Sequence, residues 1–531
     1  MIEDYSIETV TVDGYPIQTF KHRFKNVPAL FRKAVETYGE RPFLFEGDNR
    51  LTFLETQDRI FRISAYLKKE FAIGKGSHVG LLMENSNNFV LVFLSILQLG
   101  ATAVVFNHHL TGTELERQME VSDLNLMVFS PLFSAKIEEV RSEKKPPKTL
   151  SFGPDLLEEL PLALVSPTAP EIEEDDTAVI LFTSGTTGLP KGTMITHRNL
   201  ITSAIKQGYY STYEMPLKDP SHSKTLLVAP LFHVLALQEQ LLPAIFSGTS
   251  LYMMPVLLPE PLLELIVREK INILTGTPTL FWILIHKTPI QNYDLRCVEL
   301  IKYGGAPMPP DLLQDMKQVF PEVRLVNGYG LTEASVITLL LDPYIEKKPT
   351  SVGRPALCSE VKLVDPFGKA VPPQEIGELA VRGALVTKGY YKLPEETRKA
   401  YREGWFFTGD MGFQDEEGFI TLVGRSKEMI NRGGEKVYPV EVENILHLHP
   451  KILDVAVLGL PDPVMGEIVA CAVIPRPGSE TLDLTEIQEF CRSQLAYYKI
   501  PQRMFLLSEL PKNPGGKVMK KKLAEQLQKV P

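Results

Sequence analysis

Cysteine is scarce in this 531-residue chain: Cys297, Cys358, Cys471 and Cys491 are scattered, with no CxxC spacing. Neither a structural zinc site nor a disulfide framework is suggested, and the expectation is a reduced, cytoplasmic setting. A surplus of basic residues is also missing. Lys and Arg number 56 against 65 Asp and Glu, a formal net charge of -9, whereas nonspecific nucleic-acid binding needs the opposite balance. Anionic ligands have to be held by local positive groups. The N-terminus, MIEDYSIETV, lacks the apolar core of a signal peptide. One uncharged run, FVLVFLSILQLGATAVVF from Phe89 to Phe106, lies at the lower length limit of a membrane-spanning helix. Gln98 and Gly100 interrupt it, so the pattern predicts a helix to about Gln98 and then a buried β-branched strand from Thr102 to Phe106. No transmembrane span is expected; peripheral membrane contact stays open.

What is present is the balance of a soluble globular chain, 44% hydrophobic and 23% charged, long enough for several domains and a large core. From about residue 50 to 360, short β-rich runs such as HVGLLM, AVILFTS and TLLVAP alternate with helical patterns, the order of parallel sheets covered by helices. From about 360 to 425 the runs become short alternating strands with glycine turns, which predicts a small antiparallel barrel or sheet. From about Ser426, an amphipathic helix in YPVEVENILHLHP, two strands and a further helix predict a compact α+β unit. The charged stretch Ser142 to Leu150 reads as a solvated connector. KVMKKKLAEQ, near the end, reads as a solvated helix face.

The densest cluster of small and hydroxylated residues is LFTSGTTGLPKGT, Leu181 to Thr193. Thr183, Ser184, Gly185, Thr186, Thr187 and Gly188 allow backbone N–H groups and hydroxyls to close round phosphate oxygens. The loop follows a buried strand, where α/β folds present ligand loops. It is not a Walker loop, because Lys191 precedes Gly192 instead of following the second glycine of G-x-x-x-x-G-K-[ST]. Further segments follow in order: PLFH ending at His233, Tyr303-Gly304-Gly305-Ala306-Pro307, NGYGLTE from Asn327 to Glu333, Thr408-Gly409-Asp410, Gly424-Arg425-Ser426-Lys427, Arg432 to Val437, and Pro514-Gly515-Gly516-Lys517.

This ordered set resembles the adenylate-forming superfamily, which includes acyl-CoA synthetases, beetle luciferases and the adenylation domains of peptide synthetases, and the likeness spans nearly the whole chain. The resemblance implies an α/β fold: a large N-terminal domain, residues 1–425, with two doubly wound sheet subdomains and a small β-barrel, then a small mobile α+β domain, residues 426–531, hinged at Lys427. It also implies a two-step reaction. A carboxylate attacks the α-phosphorus of ATP with Mg2+, pyrophosphate leaves, and the thiol of CoA then attacks the acyl-adenylate to release AMP. Such a loop holds the departing β- and γ-phosphates, with Lys191 among the catalytic groups, and then lets them go.

The same resemblance implies further roles. Asn327, Gly328 and Tyr329 belong to the nucleotide segment, with Tyr329 stacked near an adenine bordered by Gly305, Ala306 and Pro307. Thr332 meets the α-phosphate, and Glu333 binds the metal, a carboxylate beside a triphosphate being matched to a hard cation. Asp410 accepts from the ribose hydroxyls, with Arg425 as a second ribose contact. His233 lines the carboxylate site. Lys517 is inserted for adenylation, neutralising groups that would otherwise repel. Gly433 and Gly434 border the thiol arm of CoA after the small domain rotates. Asn431 departs from the lysine that several relatives carry.

The acyl pocket is expected past His233, Leu235, Glu239, Tyr303, Gly328, Gly330 and Ala334. No aspartate follows Phe232 to pair with an amino-acid ammonium, which favours a free-standing acid–thiol ligase over an amino-acid activator. Leu235 replaces a tyrosine frequent in aryl-acid relatives and favours an aliphatic or alicyclic acid. Glu239 points the other way, since a carboxylate in an alkyl tunnel is costly unless paired, and it could read a polar end. The expected order is a medium- or long-chain fatty acid, then an aryl acid, then a polar-ended one. A free-standing activator that loads an acyl carrier protein is the remaining enzymatic alternative, and either a monomer or a homodimer fits. A degenerate adenylate-binding regulator is opposed by the presence of Lys191, Glu333, Asp410 and Lys517.

Overall fold

The computed structural model describes residues 1–140, 147–160, 170–183, 190–479, 481–512 and 518–527. A six-stranded sheet runs in the order Lys191–Thr196, Thr177–Thr183, Thr102–Val105, His78–Leu82, Leu126–Phe129, Lys148–Ser151. All its pairs are parallel except the first. The last strand corrects the connector expected at 142–150: Leu150 is buried beside the Leu126–Phe129 strand, while 142–146 lie outside the described residues.

A second sheet has 14 strands. It is parallel from Pro42–Glu46 to Arg324–Leu331 and antiparallel beyond, through Ser335–Leu341 and Ser351–Pro355 to Ile420–Arg425, Trp405–Gln414, Gly377–Arg382 and Glu360–Val364. The small β-barrel expected here is not closed. Closure requires the terminal strand to pair back onto the first, but among the described residues the one named strand paired with Glu360–Val364 is Gly377–Arg382, Val364 adding a single bridge to Ala370, and the strands extend one mixed sheet.

The long apolar run divides as its pattern predicts. Ser86 caps a helix, Asn87–Gln98, by accepting from the Phe89 N–H, and a strand follows at Thr102–Val105. The helix is buried on nearly every side because both sheets use it: Phe89, Phe93 and Leu97 share one core with Val79 and Ala103 of the first sheet and Leu44 and Leu251 of the second. Among the described residues no helix is long and apolar enough to cross a membrane.

The C-terminal part builds a separate five-stranded sheet around the long hairpin Ile452–Asp462 and Gly466–Pro475. Helices Pro439–Leu446 and Leu484–Arg492 contribute Val442 and Ile487 to one core. The basic helix Lys520–Leu527 contributes Leu523 and Leu527 to another, so its lysines occupy the remaining faces.

Candidate active site

Strand pairing sets Thr183 opposite Lys191, so the glycine-rich loop leaves and rejoins the sheet at one place. Ser184, Gly185, Thr186, Thr187 and Gly188 lie outside the described residues. Lys191 Nζ lies 2.6 Å from Glu396 Oε2 and 4.9 Å from the centroid of the Tyr390 ring. The Tyr390 hydroxyl donates to Glu333 Oε1 at 2.8 Å. Thr332 and Glu333 occupy the turn between Arg324–Leu331 and Ser335–Leu341. Burial raises the Glu333 pKa above the ordinary carboxylate value, and the Tyr390 hydrogen bond offsets this in part. The hydrogen bond from Lys191 holds the Glu396 carboxyl down to about 2. Glu333 fits a hard cation in its chemistry: an oxygen donor enclosed by protein, to which one neighbouring side chain donates among the described residues.

Beside this group stand three of the residues assigned to the nucleoside. Asp410 and Arg425 are directly opposed in an antiparallel pair, with Arg425 Nε 2.7 Å from Asp410 Oδ1. The Tyr329 hydroxyl donates to Asp410 Oδ2 at 2.5 Å. Burial works against the Arg425 charge, yet Asp410 raises its pKa above the ordinary value. Gly304 and Gly328 let two strands pass closely at this end of the sheet; a Cβ on Gly304 would stand 2.2 Å from the Gly328 carbonyl oxygen. Asn327 pairs with Tyr303, and Gly305, Ala306 and Pro307 follow as an exposed rim.

A cavity opens behind that rim, with about 670 Å³ of atom-free space, its mouth included. Leu235, Glu239, Tyr303, Gly328 and Gly330 line it, together with Gln207, Lys302 and Ser335. Ala334 does not. It packs with Ile337 and Leu379 in the core of the antiparallel strands, because the register shifts between Tyr329 and Gly330 and the turn then redirects the chain. His233 stands next to the cavity wall in sequence but is not part of it. Its ring packs on Phe232 with centroids 4.5 Å apart, and burial, with His109 adding to it, lowers its pKa to about 4. The imidazole is therefore neutral near pH 7.

The floor of the cavity is polar and internally satisfied. Glu239 accepts from Lys206 Nζ at 3.0 Å, Ser203 Oγ at 2.8 Å, Ser335 Oγ at 2.5 Å and from Gln207 Nε2. Burial opposes its charge, but Lys206 and these donors hold its pKa below the ordinary value. Glu239 is thus committed to the protein. Lys302 is not: among the described residues its hydrogen bond goes to Gln207 Oε1 at 3.0 Å, and burial pushes its pKa down to about 8. Sequence reasoning missed Lys206, Gln207, Lys302, Tyr390 and Glu396. A lysine directly after an apolar pair, Ala204-Ile205 in SAIKQG and Leu300-Ile301 in ELIKYG, was the available signal for the first and third.

In the C-terminal part, Gly433 and Gly434 form the turn of a hairpin, Ile430–Arg432 with Glu435–Val437. Asn431 Oδ1 accepts from the Gly434 N–H at 3.1 Å, so this asparagine shapes the turn. Lys427 sits in a tight turn closed by the Glu428 N–H to the Arg425 carbonyl at 3.0 Å. Lys517 lies outside the described residues.

Tyr329, Asp410 and Arg425 thus stand as one bonded group, with the enclosed Glu333 carboxylate and a cavity nearby, on a mixed α/β scaffold. The chain belongs to the AMP-binding enzyme family, whose pattern matches residues 31–391, with the AMP-binding enzyme C-terminal domain at 441–517. More particularly, it is an AMP-forming acyl-CoA synthetase. It is 32% identical over 478 residues to a feruloyl-CoA synthase of Amycolatopsis sp, covering 89% of this chain and 93% of that one. It is 31% identical over 541 residues to a long-chain-fatty-acid–CoA ligase of Bacillus subtilis, covering 94% of each. Among solved structures, o-succinylbenzoate CoA synthetase from Bacillus subtilis with its acyl-adenylate intermediate matches with a TM-score of 0.82 at 27% identity, covering 94% of this chain and 98% of that one. The same enzyme with ATP and magnesium matches at 0.81 and 27%, covering 94% and 100%.

Proposed function

We propose that this synthetase activates a compact carboxylic acid whose far end carries a hydrogen-bond acceptor, anionic for preference, and transfers the acyl group to CoA. The observation that carries this reading is Lys302, an amine in the cavity wall with one hydrogen-bond partner among the described residues and donors to spare. A hydrocarbon tail would leave that amine desolvated, with its charge uncompensated and donors unused; a distal carboxylate or phenolic oxygen would engage them. This reverses the order that Leu235 favoured in the sequence.

Asp410 and Arg425 hold the ribose, with the Tyr329 hydroxyl yielding its place on Asp410 to a ribose hydroxyl. Thr332 donates to the α-phosphate. Glu333 would hold Mg2+, which supplies charge neutralisation between phosphates when bound. Neutral His233 borders the substrate carboxylate without competing for its negative charge. Lys517 completes the adenylation site, and the small domain, turning at Lys427, brings Gly433 and Gly434 round to admit the thiol. Pyrophosphate leaves past Lys191.

Hydroxamate trapping over a panel of dicarboxylates, hydroxyaryl acids and alkyl acids, repeated with CoA and with a phosphopantetheinyl carrier protein, tests both acid and acceptor. Trapping confined to alkyl acids would sink the proposed substrate class, and turnover with the carrier alone would sink the acceptor.

A further inference from the structure

The chain has a second carboxylate at the phosphate end that none of the roles above uses. Glu396 stands in the first turn of the short helix Pro394–Ala400 and holds Lys191 Nζ at 2.6 Å. The pair is not an accident of two long side chains meeting in solvent. The Lys191 side chain is 14% exposed and that of Glu396 26%. The segment leading to Glu396 is clipped onto the strand that begins with Lys191: the Tyr391 N–H donates to the Gly192 carbonyl at 2.8 Å, the Met194 N–H to Gly389 at 2.9 Å and the Lys388 N–H to Met194 at 3.1 Å. Thr397 Oγ1 then accepts from the Tyr390 N–H at 2.9 Å, which fixes the start of the helix against Tyr390. Carboxylate, ring and ammonium are therefore set on one scaffold, and the ammonium lies over the ring of Tyr390, whose hydroxyl donates to Glu333.

We infer that Glu396 is a positioning residue that docks Lys191 whenever phosphate is absent and reclaims it as pyrophosphate departs. The inference rests on the reading of Lys191 as a phosphate ligand. An ammonium bound to Glu396 must break that bond to reach the β- or γ-phosphate, so the carboxylate lowers the apparent affinity for ATP and pyrophosphate alike. Its benefit falls on release: the lysine has an anionic partner waiting, and the departing pyrophosphate is not held by a stranded cation. Lys399 tempers the dock by pairing with the same carboxylate at 2.9 Å.

The test is steady-state kinetics on the full-length enzyme with Glu396→Gln and Glu396→Ala, reading KM for ATP and the inhibition constant of added pyrophosphate. Both constants should fall by about two- to fivefold, the range of a partly exposed ion pair, with KM for the carboxylic acid unchanged. Lys399→Ala should move both constants the opposite way. Unchanged constants, or a raised KM for ATP as expected of a lost metal ligand, would overturn the inference, whatever happens to thermal stability; Glu396→Gln keeps the shape of the side chain should the alanine variant fail to fold. Lys191→Ala separates the two levels of the argument. If it leaves KM for ATP unchanged, the phosphate role of Lys191 is wrong and the dock falls with it. If it raises KM by about tenfold or more while Glu396→Gln changes nothing, the dock alone is wrong.

Discussion

Two buried glutamates, one at each end of the site, are treated in opposite ways. Glu239 beneath the acid cavity receives an ammonium, two hydroxyls and an amide, and its pKa falls below the ordinary value. Glu333 at the phosphate end receives a tyrosine hydroxyl, and burial raises its pKa. A carboxylate saturated by its own protein is part of the architecture. One enclosed with a single side-chain donor among the described residues is, on the proposed reading, the carboxylate that meets a cation brought by the substrate. The same contrast separates Lys206, committed to Glu239 and the Val336 carbonyl, from Lys302, which faces the cavity with one partner among the described residues.

The strongest way to break this comparison is to take away one member of the saturated pair. Lys206→Met should cost about 3–5 kcal/mol of unfolding free energy by leaving a buried charge unpaired, while Lys206→Met with Glu239→Leu should recover most of it. Denaturant unfolding reads both, and equal losses in the single and double variants would show that the charge pair is not what holds this floor. Glu333→Gln should do the reverse, lowering acid-dependent pyrophosphate exchange by about 100-fold without loss of stability. The signs in pH also differ. The raised pKa of Glu333 means that its contribution to stability is present in acid and lost as pH rises through its folded value; the depressed pKa of Glu239 means a contribution present above the ordinary carboxylate range and lost as pH falls through its folded value. Glu333→Gln should therefore gain stability relative to the parent as pH rises.

Smaller effects sharpen the acid end. Lys302→Met should lower kcat/KM for an acid with a distal anion by about tenfold and raise it for the methyl-ended analogue. In the parent the preference for the anion should weaken as pH rises past about 8, where the ammonium loses its proton. The smallest change is expected of Tyr390→Phe: removing the one hydroxyl that favours ionised Glu333 moves the acidic limb of the exchange profile upward, with about a twofold loss at neutral pH.

The order of motifs made the family legible, and the interruption at Gln98 and Gly100 made the buried helix and strand legible, because both are local. Ala334 packs in the core of the antiparallel strands, beyond a register shift between Tyr329 and Gly330 that no local pattern in the sequence shows. The barrel was overstated because short alternating strands look alike in a closed barrel and at the end of an open sheet; closure is a property of partners distant in sequence. Lys302 and Gln207 meet across 95 residues, and Lys191 and Glu396 across 205. No spacing rule reaches so far, and a glutamate in a helical first turn reads as an ordinary helix-end charge.

The most direct measurement is acid-dependent ATP–pyrophosphate exchange with two acids of equal length, one ending in a carboxylate and the other in a methyl group, run side by side on the parent and Lys302→Met. The account predicts a kcat/KM ratio of about tenfold or more in favour of the carboxylate-ended acid at pH 7, collapsing in the variant. A parent that prefers the methyl-ended acid, or a ratio indifferent to Lys302, would contradict it.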